Sequence, residues 1–191
     1  MKHAEQVRNR YVGKTAAEYD AKRMSETRWP REQHAVRKYL GVLKPAPAVL
    51  DIPAGTGRYA QIYAELGAKV TATDTSGDML ALAREAFKRH SVPHSLVVGD
   101  ILKLEPPEVK YDVAVCTRML NHFTRREAKL AVSNLLACAN AVILSVREPL
   151  PGHSDPNWHP LEQLTRASSD ITVISERADS RYIMALVRYE S

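Results

Sequence analysis

The segment VLDIPAGTGRYA, residues 49–60, constrains the fold more than any other stretch of the chain. An apolar run ends in an acid, Asp51. Gly55 and Gly57 follow, one residue apart, and the pattern beyond them is helical. A strand that stops in a glycine turn and restarts as a helix is an opening unit of α/β sheets. Without Cβ atoms, such a turn lets backbone come close to a ligand. Two templates fit. Gly55-Thr-Gly57-Arg-Tyr-Ala60 satisfies the dinucleotide fingerprint G-x-G-x-x-G/A. Asp51-x-Pro53-x-Gly55-x-Gly57 nearly satisfies a second, acid-led loop, with Pro53 at its first glycine.

The rest of the chain decides the architecture. Ala35, Val36, Tyr39 and Leu40 form a helical stripe after Pro30, which suits a first helical position. A short strand is expected at 48–52 and a helix at about 58–66. "AKVTATD" reads as a strand ending at Asp74, and Ser76 as the cap of a helix through "GDMLALAREAFKRH". "HSLVVGD" reads as a strand ending at Asp100, and "YDVAVCT" as the next. Thr124 to Glu127 is a capping box opening a helix, and "AVILSV" is a buried strand. Strands alternating with helices predict a doubly wound, Rossmann-like sheet of seven strands, mostly parallel. "ITVISER" and "RYIMALVRYE" are separated only by "ADS", too short for a parallel crossover. They are expected to form an antiparallel hairpin with the last strand opposed to the others. The chain is read as one domain, 1–191, with a helical lid at 1–45 and a core at 46–191.

Composition excludes several classes. No stretch approaches a membrane-spanning length of about 18 apolar residues. The charged N-terminus has no apolar region of the secretory kind. Cys116 and Cys138 lie in apolar runs without metal-ligand spacing, as reduced thiols of a cytoplasmic protein would. The net charge of +5 arises in residues 1–40, which hold 10 of the 27 Lys and Arg against 5 of the 22 acids. No aromatic-rich basic stripe accompanies that excess, which disfavours a nucleic-acid partner. His153, Asp155 and His159 lack further ligands at diagnostic spacing, so no metal is expected.

In a doubly wound sheet the ligand sits at the carboxyl ends of the strands. Gly55 and Gly57 give close approach there. Asp74, at a strand end, is placed for ribose hydroxyls, Asp100 for an exocyclic adenine amine, and Asp51 for loop amides or a ligand ammonium. Each has a plainer alternative, as a turn, a helix cap or a structural clamp. His122, in "CTRMLNHF" after the fourth strand, is the general-base candidate, with Asn121 and Arg118 as substrate contacts. The plainer reading of His122 is a cap or a loop packing residue. Trp158, in the loop 147–160, is expected to shape the acceptor pocket.

With "VLDIPAGTGR", "VTATDTSGDMLALARE", "VVGDI" and "YDVAVCTRMLNHF", residues 49–122 resemble class I S-adenosylmethionine-dependent methyltransferases. The resemblance is to the small ones of ubiquinone and menaquinone biosynthesis, and the N-terminal "AEYDAKR" and the closing strand pair extend it. It implies S-adenosyl-L-methionine as cofactor and S-adenosyl-L-homocysteine as product. The glycine loop would carry the methionine moiety and Asp74 the ribose, while Ser76, Met79, Asp100 and Ile101 would surround the adenine. Cys116 is carried over among the cofactor positions. Tyr11, Tyr19 and Arg23 would lie on lid helices, with Arg23 facing the cofactor carboxylate. Pro53 departs from the pattern: it has no N–H and cannot take a positive φ, so the loop has one amide fewer to offer.

The reaction implied is methyl transfer to an acceptor, which needs alignment and dryness more than a catalytic triad. No [DNS]-P-P-[YFW] tetrapeptide follows the fourth strand and no Pro-Cys nucleophile occurs, so a small-molecule acceptor fits best. Two other readings stay open: a catalytically silent cofactor- or partner-binding protein on the same fold, marked by Pro53, and an NAD-binding oxidoreductase.

Overall fold

The computed structural model describes residues 26–148, 158–165 and 171–189. Tyr11, Tyr19, Arg23, His153 and Asp155 lie outside the described residues. The chain enters through α1 (Trp29–Gly41), with Pro30 in its first turn as expected. Then come β1 (Ala48–Asp51), α2 (Ala60–Glu65), β2 (Lys69–Asp74), α3 (Gly77–Arg89) and β3 (His94–Val98). A 3-10 turn, Ile101–Lys103, leads to β4 (Tyr111–Cys116). A second such turn, Leu120–His122, precedes α4 (Arg125–Cys138) and β5 (Ala139–Arg147). The short α5 (Leu161–Thr165) and the hairpin of β6 (Ile171–Arg177) and β7 (Tyr182–Tyr189) complete the order.

The seven strands form one sheet in the order β3-β2-β1-β4-β5-β7-β6. The β1–β2, β1–β4, β2–β3 and β4–β5 pairs are parallel, and β7 runs antiparallel to both β5 and β6. The predicted seven-stranded sheet with an opposed last strand is therefore present. Alternate strand residues feed two cores, as a period of two requires. Val49, Val70, Val113, Val115 and Ile143 face α1, α2 and α3. Leu50, Ala114, Val142 and Leu144 face α4 and α5. The central strand β4 is covered on both sides, and Val113, Ala114, Val115 and Cys116 are all fully buried. That accounts for an uninterrupted apolar run where a half-exposed strand would alternate.

The caps form as their residue types demand. The Ser76 hydroxyl accepts the Met79 amide at 3.3 Å. Thr124 and Glu127 close the capping box, the Thr124 amide donating to Glu127 Oε2 at 2.9 Å. One boundary differs from expectation. β3 stops at Val98, and Asp100 caps the following 3-10 turn by accepting the Leu102 amide at 3.1 Å. No helix crosses from β3 to β4, so Val97 and Val98 on the sheet edge remain 47% and 68% exposed. Among the described residues no helix is long and apolar enough to cross a membrane.

Candidate functional site

Strand order reverses between β1 and β4, since β1 leads outward to β2 while β4 lies on its other side. Crevices of α/β sheets open at such a point, beyond the carboxyl ends of the strands. A cavity lies there. Its wall is built from residues 51–55 with Arg58 and Tyr59 after β1, and residues 74–76 with Met79 after β2. Residues 99–101 after β3 and residues 117–119 with His122 after β4 complete it.

The glycine loop divides its labour. Gly57 (φ +74°) packs against α3: a Cβ there would stand 3.0 Å from the Ala83 Cα and 3.2 Å from its carbonyl oxygen. Gly55 (φ +55°) would meet nothing within 4 Å, so its open side faces the cavity it lines. Pro53 lines the same wall and follows a cis peptide bond. The loop is fastened to β2: the Ala54 amide donates to the Thr73 carbonyl and the Gly55 amide to Asp74 Oδ2, both at 2.9 Å.

Asp74 is thus a clamp as well as a cavity residue, since its other oxygen accepts the Ser76 amide at 2.9 Å. Burial pushes its carboxyl up, against the pull of those amide bonds. Each oxygen keeps a second lone pair, so the clamp leaves acceptor capacity toward the cavity.

Asp51 is almost fully buried, and its Oδ2 has no hydrogen-bond partner. Burial pushes its carboxyl up to about 7; the Tyr63 hydroxyl and the Arg58 guanidinium hold it down, and Asp74 adds to the rise. The Tyr63 hydroxyl is itself buried without completing a hydrogen bond, so the acid and the phenol interact without saturating each other. A buried acid with spare acceptor capacity on a cavity wall suits a cationic or hydrogen-bond-donating ligand group.

Ser76, Met79, Asp100 and Ile101, read from the sequence as one cluster, do meet on one side of the cavity. Met79 and Ile101 supply apolar walls, each 3% exposed. Across from them, after β4, stand Thr117, Arg118, Met119 and His122. Tyr59, which the sequence showed only as a variable position of the loop, closes this side by donating to the Thr117 hydroxyl at 3.1 Å. Arg58 stacks over Trp29 of α1, 4.7 Å from its ring centroid.

Arg118 has a second employment that the sequence did not reveal. Its backbone is left-handed (φ +59°), and its amide donates to the Ser145 hydroxyl at 2.7 Å. Its guanidinium donates to both carboxylate oxygens of Glu32 and, at 2.7 Å, to Glu26. Besides Gly57, which packs against α3, three expected site residues stand apart from the cavity wall. Cys116 is fully buried in the core beneath α4, where burial pushes its thiol up. Asn121 is half-buried in the turn before His122. Trp158 packs on Arg147, 4.4 Å from ring centroid to guanidinium. His159 is buried, its Nε2 3.0 Å from the Phe123 carbonyl oxygen. No cluster of potential metal ligands occurs among the described residues.

Residues 49–140 match the family described as "Methyltransferase domain". Among curated proteins, the chain is 41% identical over 70 residues to a protein-L-isoaspartate O-methyltransferase of Methanoculleus marisnigri, covering 36% of this chain and 32% of that one. It is 34% identical over 98 residues to the chloroplastic magnesium protoporphyrin IX methyltransferase of Arabidopsis thaliana, covering 51% of this chain and 31% of that one. The chain thus spans about a third of the length of these curated relatives. Among solved structures, magnesium protoporphyrin IX methyltransferase from Synechocystis PCC 6803, with bound SAH, superposes with a TM-score of 0.75 at 18% identity, covering 98% of this chain and 100% of that one. At that identity the superposition speaks for the fold. The match over residues 49–140 and the fold shared with a solved methyltransferase point the same way.

Proposed function

We propose that this chain transfers a methyl group from S-adenosyl-L-methionine to a small-molecule acceptor. The observation that carries the reading is the single cavity at the switch point, which gathers the open side of Gly55, Asp51, Asp74, the Ser76–Met79–Asp100–Ile101 cluster and His122. The cofactor, when bound, supplies the electrophilic methyl carbon and its leaving group. The chain's own residues bind, align and exclude water. The Gly55 side takes the methionine moiety, with Asp51 available to its ammonium. Asp74 takes ribose hydroxyls, and the apolar pair Met79 and Ile101 sandwiches the adenine with Asp100 at its edge. His122, on the opposite wall, accepts the acceptor's proton where one must leave. The free, buried cysteines suit a reducing compartment, and we place the protein in the cytoplasm.

The relatives named above act on unlike acceptors, so they narrow the chemistry and not the acceptor. A second reading, a binder without turnover, draws on the loop itself. Pro53 offers no N–H, and the Ala54 and Gly55 amides are already bonded to β2. Calorimetry with S-adenosylhomocysteine and with NAD tests the cofactor assignment; no binding of the former below about 1 mM would overturn it. Turnover of labelled S-adenosylmethionine against a metabolite panel then separates enzyme from silent binder.

A further inference from the structure

We propose that Arg147 forms an anion-binding subsite for a carboxylate or phosphate that the acceptor carries away from the atom receiving the methyl group. The assignment rests on the methyltransferase reading and deepens it to a class of acceptor.

Arg147 ends β5, two residues beyond Ser145, and therefore shares its face of the sheet. Ser145 holds the Arg118 amide, so Arg147 lies on the same strand face beyond the Arg118 wall of the cavity and outside its lining. The Arg147 guanidinium lies over Trp158 and 5.8 Å from the centroid of Tyr182. Arg28 lies over the same Tyr182 ring at 4.0 Å. Stacking fixes a guanidinium by its flat face and leaves its N–H edges in the plane, the geometry that grips a carboxylate or phosphate through two parallel bonds.

The charges around it are unevenly matched. Arg28 pairs with Glu26 at 2.9 Å and Glu32 at 3.5 Å, and Arg118 is bound to the same two acids. Arg147 pairs with no carboxylate among the described residues, and its half-buried cation has only rings for company. The buried Nε of Arg147 lacks a hydrogen-bond acceptor, whereas that of Arg28 faces the Glu32 carboxylate at 3.5 Å. Buried donors are seldom left unmet, because the hydrogen bond to water has been lost without a replacement. Such a donor, on a cation with no carboxylate among the described residues, calls for an anion.

The test observes the arginine Nε–H resonances by NMR while acetate, inorganic phosphate or uncharged acetamide is added, with and without saturating S-adenosylhomocysteine. The Arg147 signal is expected to move saturably with acetate or phosphate and to ignore acetamide; whichever anion binds more tightly identifies the group. Arg147→Met should abolish the response and leave the affinity for S-adenosylhomocysteine within about twofold. Arg147→Lys, which keeps the charge and loses the fork, should weaken anion binding about tenfold, and it substitutes if the Met variant does not fold. An Arg147 signal that neither anion moves up to about 100 mM, a concentration that would detect even weak binding, overturns the subsite. Failure of S-adenosylhomocysteine to bind is a separate result, and it strikes the methyltransferase reading instead.

Discussion

Arg118 and Glu32 meet across 86 positions of sequence and form an ion pair that water scarcely reaches, their side chains 6% and 0% exposed. The pair ties α1 to the turn after β4. It thereby fixes the end of the N-terminal segment to the wall that presents Met119 and His122.

Removing one partner leaves the other buried with fewer charges to meet it, Arg118 with Glu26 and Glu32 with Arg28. Glu32→Gln or Arg118→Met should each destabilise the chain in urea denaturation, by less than the roughly 3–5 kcal/mol of a wholly uncompensated buried charge. The double variant Glu32→Leu/Arg118→Met should cost clearly less than the sum of its single changes. Additive losses would mean that the two groups do not act as a unit.

Asp51 predicts an unusual pH profile. Its carboxyl rises from the ordinary 3.8 to about 7 on folding, mainly through burial. The folded state therefore holds this proton more tightly than the unfolded one. The penalty is absent below pH 3.8, grows as pH rises toward 7, and is constant above it. At about 1.4 kcal/mol per pH unit, the full penalty is on the order of 4 kcal/mol. Asp51→Asn removes the titration, so its stability relative to the parent should increase between pH 5 and pH 8. Parallel profiles for the two proteins would show that Asp51 is not the titrating group.

The two loop glycines should fail in different ways. Gly57→Ala forces a Cβ onto the Ala83 backbone at a positive φ, so it should cost at least about 2 kcal/mol of stability. Gly55→Ala meets no neighbour, so its folding cost should stay near about 1 kcal/mol. Its methyl group would instead occupy ligand space and weaken S-adenosylhomocysteine binding by about tenfold or more. Thermal melts and calorimetry on both variants separate the two effects.

Opposite walls of the cavity should likewise divide binding from turnover. Asp74→Ala removes the acceptor of the Gly55 and Ser76 amides, and should weaken S-adenosylhomocysteine binding by at least about tenfold. His122→Gln should leave that binding nearly intact and lower methyl transfer by about 100-fold or more for an acceptor that must lose a proton. Equal loss of binding in both variants would contradict the division.

What was legible in the sequence was whatever leaves a local pattern. Strands with period two, the Ser76 cap, the Thr124–Glu127 box and the short link before the last strand all follow from neighbours within a few residues. The acids at the strand ends were legible because the fold supplies their meeting place. The ion pair of Glu32 was not: a glutamate in a helix's first turn looks solvent-facing, and only a partner 86 residues away makes its burial tolerable. The partner of Trp158 was hidden for a related reason, since an aromatic residue in a loop declares burial without declaring which side chain will cover it. Tyr59 went unnoticed because the glycine template treats its position as free, while its hydroxyl bridges to Thr117.

The bonds from the Ala54 and Gly55 amides to β2 carry a thermodynamic consequence. The loop is ordered by the sheet, so its conformational entropy is surrendered when the chain folds and need not be surrendered again when a ligand arrives. Encounter with the cofactor should be correspondingly quick at the glycine end.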